Sequence, residues 1–211
     1  MSEKNAVKLL HIDTSIKATG SLSREMSAAA VERLKREAPD IAVHYRDLAA
    51  HPLGDITGRV FAAHAKGADV SDFDPAERSD LAESGRVLEE FMASDVIVIG
   101  VGFYNFSVPS SLKAWLDRIL VAGKTFSYTA SGVVGLAGGK RVIVLLARGG
   151  LYGEGSPNAR HEHAETYLTS IFSVIGVENL EVIVADGVDI SPELRAAAVE
   201  RAMGSIEALA A

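Results

Sequence analysis

Five short apolar runs recur along the chain, each long enough for a strand and too short for a helix: Val7–Asp13, Ile41–Tyr45, Val96–Val101, Arg141–Ala147 and Leu180–Ala185. They are rich in Val, Ile and Leu without polar alternation, the pattern of strands buried on both faces of a parallel sheet. Between them the period becomes helical. Leu112, Trp115, Leu116, Ile119 and Leu120 share one helical face, as do Ala164, Tyr167, Leu168, Ile171, Phe172 and Ile175, with Gly176 as the expected stop. Asp74-Pro75-Ala76-Glu77 reads as an N-cap, a first-position proline and a capping-box glutamate, and Ser191-Pro192-Glu193 opens a C-terminal helix in the same way. The alternation predicts an α/β fold built on a doubly wound, five-stranded parallel sheet, as one domain over 1–211. One connection is disproportionate. From Arg46 to Asp95 the chain runs about twice as far as a simple crossover helix needs, with loops at His51-Pro52-Leu53-Gly54 and Gly67–Asp74 around a short helix near Thr57–Lys66. Excursions of this kind serve as lids, partner surfaces or binding loops.

Composition narrows the functions. The chain has 211 residues, 48% of them hydrophobic, enough for a substantial core. It has no cysteine, so disulfides, thiol nucleophiles, iron–sulfur clusters and thiolate zinc sites are excluded. A net charge of −7 argues against a nucleic-acid partner. Met1–Asn5 is polar with no apolar targeting region behind it. The longest apolar stretches, Val96–Phe103 and Val142–Ala147, fall far short of the ~20 residues that span a bilayer. A cytoplasmic protein without membrane insertion is expected.

In an open α/β sheet, ligands bind beyond the carboxyl ends of the strands, where strand order reverses. After the first strand, Thr14, Ser15, Thr19, Ser21 and Ser23 offer hydroxyls just ahead of an amphipathic helix whose start offers free N–H groups. Together they form a phosphate cradle of little net charge, and the −7 balance leaves such a phosphate to hydroxyls and a helix end rather than to a basic patch. The segment also reads as a Ser/Thr-rich turn capping a helix. It matches neither the G-x-x-x-x-G-K-[ST] loop nor the G-x-G-x-x-G fingerprint. After the third strand, Phe103, Tyr104 and Phe106 supply flat apolar walls, with Asn105 and backbone amides as fixed donors and acceptors. A planar heterocycle such as an isoalloxazine needs that combination, although the same rings would serve to plug the sheet end. After the fourth strand, Ala147–Gly155 carries four glycines within seven residues, which suits close approach to a ligand or a flexible surface loop. A phosphate at the first loop and a flat ring between the other two is the mononucleotide arrangement of the 2-1-3-4-5 strand order.

Other candidates are weaker. His161-Glu162-His163-Ala164-Glu165 lacks the second histidine of a zincin helix and reads as a solvated helix start. Gly138-Gly139-Lys140-Arg141 precedes a strand and reads as a turn, and Trp115 as core. No Ser–His–Asp set, paired-carboxylate arrangement or metal site is legible.

On these motifs the sequence resembles the bacterial FMN-dependent NADH:quinone oxidoreductases and azoreductases across essentially its whole length. Ser15 with Ser21-Leu22-Ser23 looks like that family's phosphate loop, Tyr104-Asn105-Phe106 like its Y-N-F flavin motif, and Arg148-Gly149-Gly150 like its R-G-G loop. Tyr45-Arg46-Asp47-Leu48 and Phe126-Ser127-Tyr128-Thr129 also look like family segments. Gly102-Phe103 stands where a common family form has Pro-Met, and Ala147 where it has Ser. The resemblance implies a flavodoxin-like fold and a homodimer binding FMN noncovalently at the subunit interface. NADH would deliver a hydride to the flavin and leave before a quinone or azo compound enters, an azo bond needing two rounds. The implied cofactor-binding residues are Ser15, Ser21, Leu22, Ser23, Phe103, Tyr104, Asn105, Phe106, Ala147, Arg148, Gly149 and Gly150. Phe126, Tyr128 and the Arg46–Asp95 excursion would wall the substrate cavity. No side chain is nominated as acid or base, because the cofactor carries the chemistry. Arg148 would serve NADH or NADPH alike. A one-electron carrier and a flavin-binding protein without turnover are the competing readings.

Overall fold

A computed structural model describes residues 6–210; the polar start Met1–Asn5 lies outside them. In chain order the elements are β1 (Lys8–Asp13), α1 (Leu22–Glu37), β2 (Ala42–Asp47), α2 (Gly58–Lys66), α3 (Pro75–Ala93), β3 (Val96–Gly102), α4 (Ser110–Ile119), β4 (Phe126–Thr129), β5 (Gly132–Gly135), β6 (Arg141–Arg148), α5 (Glu165–Val174), β7 (Asn179–Asp186) and α6 (Pro192–Glu207). Five strands form one parallel sheet in the order β2-β1-β3-β6-β7, which is 2-1-3-4-5 when only these strands are numbered.

The sheet separates two apolar layers. On one face Leu10, Ile12, Ile97, Ile99, Val142 and Val144 meet α3, α4 and α5; Phe91 and Trp115 pack edge to face with centroids 5.9 Å apart. On the other face Leu9, Val98, Ile143 and Leu145 meet α1 and α6. The central strands β1, β3 and β6 are buried on both faces, as their unbroken apolar runs predict. The expectation of two-sided burial does not hold for β2 and β7. Both are edge strands, so an apolar run there is only half covered.

The capping signals behave as read. Asp74 accepts from the Glu77 amide at 2.9 Å while Glu77 accepts from the Asp74 amide at 3.0 Å, and Ser191 accepts from the Leu194 amide at 3.2 Å. The long excursion resolves into α2 and the crossover helix α3. His64 of α2 is buried and its Nε2 donates to the Arg118 carbonyl at 2.8 Å, while the buried Arg118 guanidinium pairs with Asp80 of α3 at 2.7 Å. These bonds clamp the excursion onto α4. The turn at Gly138–Arg141 does more than reverse the chain. Its Lys140 donates to the Met92 and Ser94 carbonyls and so closes the C-terminal end of α3.

The antiparallel hairpin β4–β5 has no counterpart in the apolar pattern. Gly135 packs on Gly176, and the Ala137 amide donates to the Ile175 carbonyl at 2.9 Å, immediately ahead of β7. The hairpin therefore lies at the amino end of the sheet, opposite the strand ends where α/β proteins bind ligands.

Candidate functional site

The loop after β1 is tied across to β3. Thr14 donates to the Gly100 carbonyl through both its amide (3.1 Å) and its hydroxyl (2.8 Å), so that hydroxyl is committed to the fold. Thr19 is exposed and stands outside the cleft. Ser15, Ser21 and Ser23 are buried and converge. The Ser15 hydroxyl lies 3.1 Å from the Tyr104 hydroxyl, and Ser21 and Ser23 lie 3.3 Å from one another. Ser21 is the N-cap of α1, yet its hydroxyl makes no bond to the helix amides; the first helical bond is Glu25 N–H to the Ser21 carbonyl. The amides of the first turn are thus left to an external acceptor, which suits an anion.

After β3, Tyr104 and Ser107 exchange backbone hydrogen bonds at 3.1 and 3.0 Å around Asn105 (φ 47°) and Phe106 (φ 70°). Two successive non-glycine residues in the left-handed region give a primed tight turn, costing about 1–3 kcal/mol per residue. The surroundings hold it in place. The His163 amide donates to the Phe106 carbonyl at 3.0 Å, and the Phe103 amide to the Ala147 carbonyl at 3.1 Å. The Tyr152 ring lies 4.7 Å from Phe103 and 6.2 Å from Phe106. Asn105 and Phe106 are exposed beside the cleft rather than plugging the sheet.

The loop after β6 brings no free charged side chain to the cleft. The Arg148 guanidinium is buried against Glu165 (2.6 Å) and Glu162 (3.3 Å), with Asp186 at 4.0 Å and the Phe103 ring centroid 5.8 Å away. It is not free to clamp a nicotinamide dinucleotide's phosphate. Glu162 is a half-buried carboxylate that caps the start of α5, while its neighbour His163 is solvated as expected of a helix start. It accepts from the amides of Ala164, Glu165 and Thr166; burial pushes its carboxyl up, but these bonds and Arg148 bring it below its ordinary value. Bonds from the amides of Gly187, Val188 and Asp189 to the carbonyls of Gly150, Arg148 and Gly149 (2.9, 3.1 and 3.0 Å) fix the loop from the end of β7. A Cβ on Gly149 would stand 2.7 Å from the Asp189 carboxylate, so this approach needs glycine.

Ser15, Ser21, Leu22, Ser23, Phe103, Tyr104, Ala147 and Gly149 line one narrow cleft, with Gly150 on the same pinned loop. Lys17, Val188, Asp189 and Arg195 join them, and motif reading missed these four. Next to the aromatic turn lies a larger open cavity of about 690 Å³, walled by Ile16, Leu48, Pro52, Tyr104, Asn105 and Val108. Of the long excursion, only its first residues reach it. Phe126 and Tyr128 border neither space, being on the hairpin at the other end of the sheet.

Beneath the cradle runs a partly buried polar network. Parallel register sets Asp13 beside Asp47, two like charges side by side. Arg24 resolves the conflict: it takes both oxygens of Asp47 at 2.6 and 2.9 Å, reaches Asp13 at 3.5 Å and donates to the Ser15 carbonyl at 2.8 Å. Ser27 and Tyr45 donate to Asp13 at 2.7 and 2.9 Å, and His11 Nε2 lies 3.0 Å from the Ser27 hydroxyl. Arg24 holds the Asp47 carboxyl far below the usual carboxylate range, against the opposing effect of burial. Burial raises Asp13, but the His11, Ser27 and Tyr45 side chains outweigh it and the net shift is downward. The Tyr45 phenol is pushed up to about 12, first by burial and then by Asp13.

A pH dependence follows. Carboxyls depressed by folding add stability that is full above their ordinary pKa near ~4 and is lost as pH falls towards the folded value. Asp47→Asn is expected to cost about 1.5–3 kcal/mol at pH 7, the loss of charge-assisted bonds to Arg24. Thermal unfolding followed at a series of pH values should show the gap to wild type closing below about pH 4. A gap that stays constant down to pH 2 would contradict the ionised pair.

A family model described as "Flavodoxin-like fold" matches residues 7–210. The chain is 51% identical over 206 residues to the FMN-dependent NADH:quinone oxidoreductase 2 of Bradyrhizobium diazoefficiens, covering 97% of this chain and 100% of that protein. It is 48% identical over 204 residues to the FMN-dependent NADH:quinone oxidoreductase of Xanthomonas campestris pv. campestris, covering 96% and 99%. Among solved structures it is similar to an azoreductase from Bacillus anthracis, at 29% identity and TM-score 0.83 over 96% of this chain and 100% of that one. An FMN-dependent NADH-azoreductase from the same species, in complex with FMN, matches at 26% identity and TM-score 0.84, covering 97% and 100%.

Proposed function

The chain belongs to the flavodoxin-like family of the FMN-dependent NADH:quinone oxidoreductases, and on that premise we propose that it binds FMN, oxidises NADH and reduces quinones and azo compounds. The observation that carries this reading is the convergence of three strand-end loops at one cleft: buried serines at an uncapped helix start, an aromatic left-handed turn and a pinned glycine loop. These features fit two parts of FMN, its phosphate and its ring. The serine hydroxyls and first-turn amides of α1 suit the phosphate. The Phe103–Phe106 turn and the backbone of Ala147–Gly150 suit the flat ring, with amides near Asn105 and Gly149–Gly150 available to stabilise negative charge on it. When bound there, FMN supplies the two-electron chemistry that joins NADH oxidation to quinone or azo reduction.

This chain's own residues then bind and orient. The Arg148 pairing with Glu162 and Glu165 fixes the glycine loop, and the Asp13–Arg24–Asp47 network fixes the loop carrying Ser15. The 690 Å³ cavity beside the turn is of small-molecule size, and its mostly apolar walls suit flat, apolar acceptors. In this reading NADH and the acceptor occupy that cavity in turn, a ping-pong order. The whole of 1–211 acts as one FMN-binding domain. Phe126 and Tyr128, remote from this chain's cleft and paired edge to face at 5.4 Å, wall a substrate site only across a homodimer. Tyr128, Val133, Val134 and Leu136 leave that hairpin with exposed apolar surface, which supports the same reading. A cytoplasmic setting suits an NADH consumer that has no cysteine.

The test is anaerobic mixing of the FMN-loaded protein with NADH and then a benzoquinone, with flavin absorbance followed throughout. Bleaching by NADH and recovery on quinone addition are expected. A flavin that NADH leaves oxidised would overturn the enzyme reading in favour of a carrier.

A further inference from the structure

We infer that Arg195 is a phosphate clamp, gripping the FMN phosphate from the lining of the cleft it shares with Ser21 and Ser23; the inference rests on the FMN reading above. Among the described residues three charged side chains line that cleft, Lys17, Asp189 and Arg195, and their sum is positive in a chain of net charge −7. Arg195 is the half-buried one of the two cations, and Lys17 is exposed.

Two features of Arg195 have no structural explanation. It sits in the first turn of α6, its amide donating to the Ser191 carbonyl at 3.0 Å, where the helix's partial positive charge disfavours a cation. It also has no carboxylate partner among the described residues. The other buried or half-buried arginines, Arg24, Arg33, Arg46, Arg118, Arg141 and Arg148, are each ion-paired. Arg195 makes a single long bond of 3.5 Å, from Nη1 to the Val188 carbonyl. A half-buried guanidinium left unpaired at the wrong end of a helix is a local conflict of the kind that marks function. The Val188 carbonyl belongs to the segment that pins the glycine loop, so this one bond holds the guanidinium beside that loop, in the lining of the cleft. A guanidinium presents a planar fork of N–H donors that matches two oxygens of a phosphate. The hydroxyls and helix amides come from the start of α1, and Arg195 supplies a half-buried positive charge to the same cleft from α6.

Riboflavin, which is FMN without the phosphate, separates this role from general support of the pocket. Apoprotein of the full chain would be titrated with FMN and with riboflavin, reading quenching of flavin fluorescence. Arg195→Gln should weaken FMN roughly 10- to 100-fold, the range of a lost charge-assisted bond, and move riboflavin less than about 2-fold. Arg195→Lys, which keeps the charge and loses the fork, should fall between wild type and the glutamine variant, and carries the test alone if the latter does not fold. Unchanged FMN affinity in both variants, or equal losses for FMN and riboflavin, would overturn the clamp while leaving the cofactor assignment standing. Wild-type protein that binds neither flavin would overturn that assignment and the clamp together.

Discussion

Replacing Ser21 and Ser23 together by alanine is expected to weaken FMN binding by roughly 10²–10³, corresponding to about 3–4 kcal/mol, while changing the stability of the apoprotein by less than about 1 kcal/mol. The asymmetry comes from what the hydroxyls do in the folded chain. An N-cap serine ordinarily contributes about 0.5–2 kcal/mol by bonding to the first-turn amides. Ser21 makes no such bond, and its neighbour is the Ser23 hydroxyl at 3.3 Å. Each hydroxyl is a single small group whose side-chain partner is the other, so removing both leaves no large cavity and strands no partner. Towards a phosphate each donates a charge-assisted bond, and two such bonds give the stated range. Titration of the apoprotein with FMN, beside thermal unfolding of the same samples, separates the two effects. Equal FMN affinity in the double variant would remove the phosphate from this cradle; a large loss of stability would show that the serines are structural.

The sequence is legible where a local pattern determines the structure. β1, β3 and β6 are buried on both faces, and an unbroken apolar run has one reading there. The serines of the cradle are legible because they lie between a strand and a helix, and the Asp74 capping box because its two partners are three residues apart. What escapes is set by register and distance. Asp13 and Asp47 become neighbours only when β1 and β2 pair, so the Arg24 network is invisible to spacing. Arg195 joins the cleft from α6, more than 170 residues after Ser21 and Ser23. Arg148 stands in the R-G-G motif and reads as a ligand contact, but the carboxylates that neutralise it lie in another segment. The hairpin β4–β5 is two strands of four residues, with Tyr128, Val133 and Val134 exposed where a buried pattern would announce a strand.

A substitution at Gly100 should have the severest consequence for fold and site together. A Cβ there would stand 2.6 Å from Asp13 Oδ1, 2.8 Å from the Ser23 carbonyl and 2.9 Å from Ser27 Oγ. None of these is the free end of a flexible side chain. One is a buried carboxylate held by hydrogen bonds, one is the backbone of α1, and one is a hydroxyl already bonded to that carboxylate. The Gly100 carbonyl also receives both bonds from Thr14, so displacement would loosen the loop after β1. Relief requires α1 to lift from β3, which carries Ser21 and Ser23 away from the cleft and opens the Asp13 network. Overpacking of this kind costs about 1–3 kcal/mol, and a disrupted buried polar network adds to it. Gly100→Ala is therefore expected to lose about 3 kcal/mol or more and to retain no FMN through gel filtration, and Gly100→Val to yield no folded protein. Gly85, in the interior of α3, is the control. Nothing lies within 4 Å of a Cβ there, so Gly85→Ala should raise stability by about 0.5–1 kcal/mol with flavin content unchanged. Denaturant unfolding and flavin-to-protein ratio, measured on both alanine variants, check the pair. A Gly100→Ala protein with wild-type flavin content would show that α1 can shift without moving the cradle, and would break the link drawn between the β3 backbone and the phosphate loop.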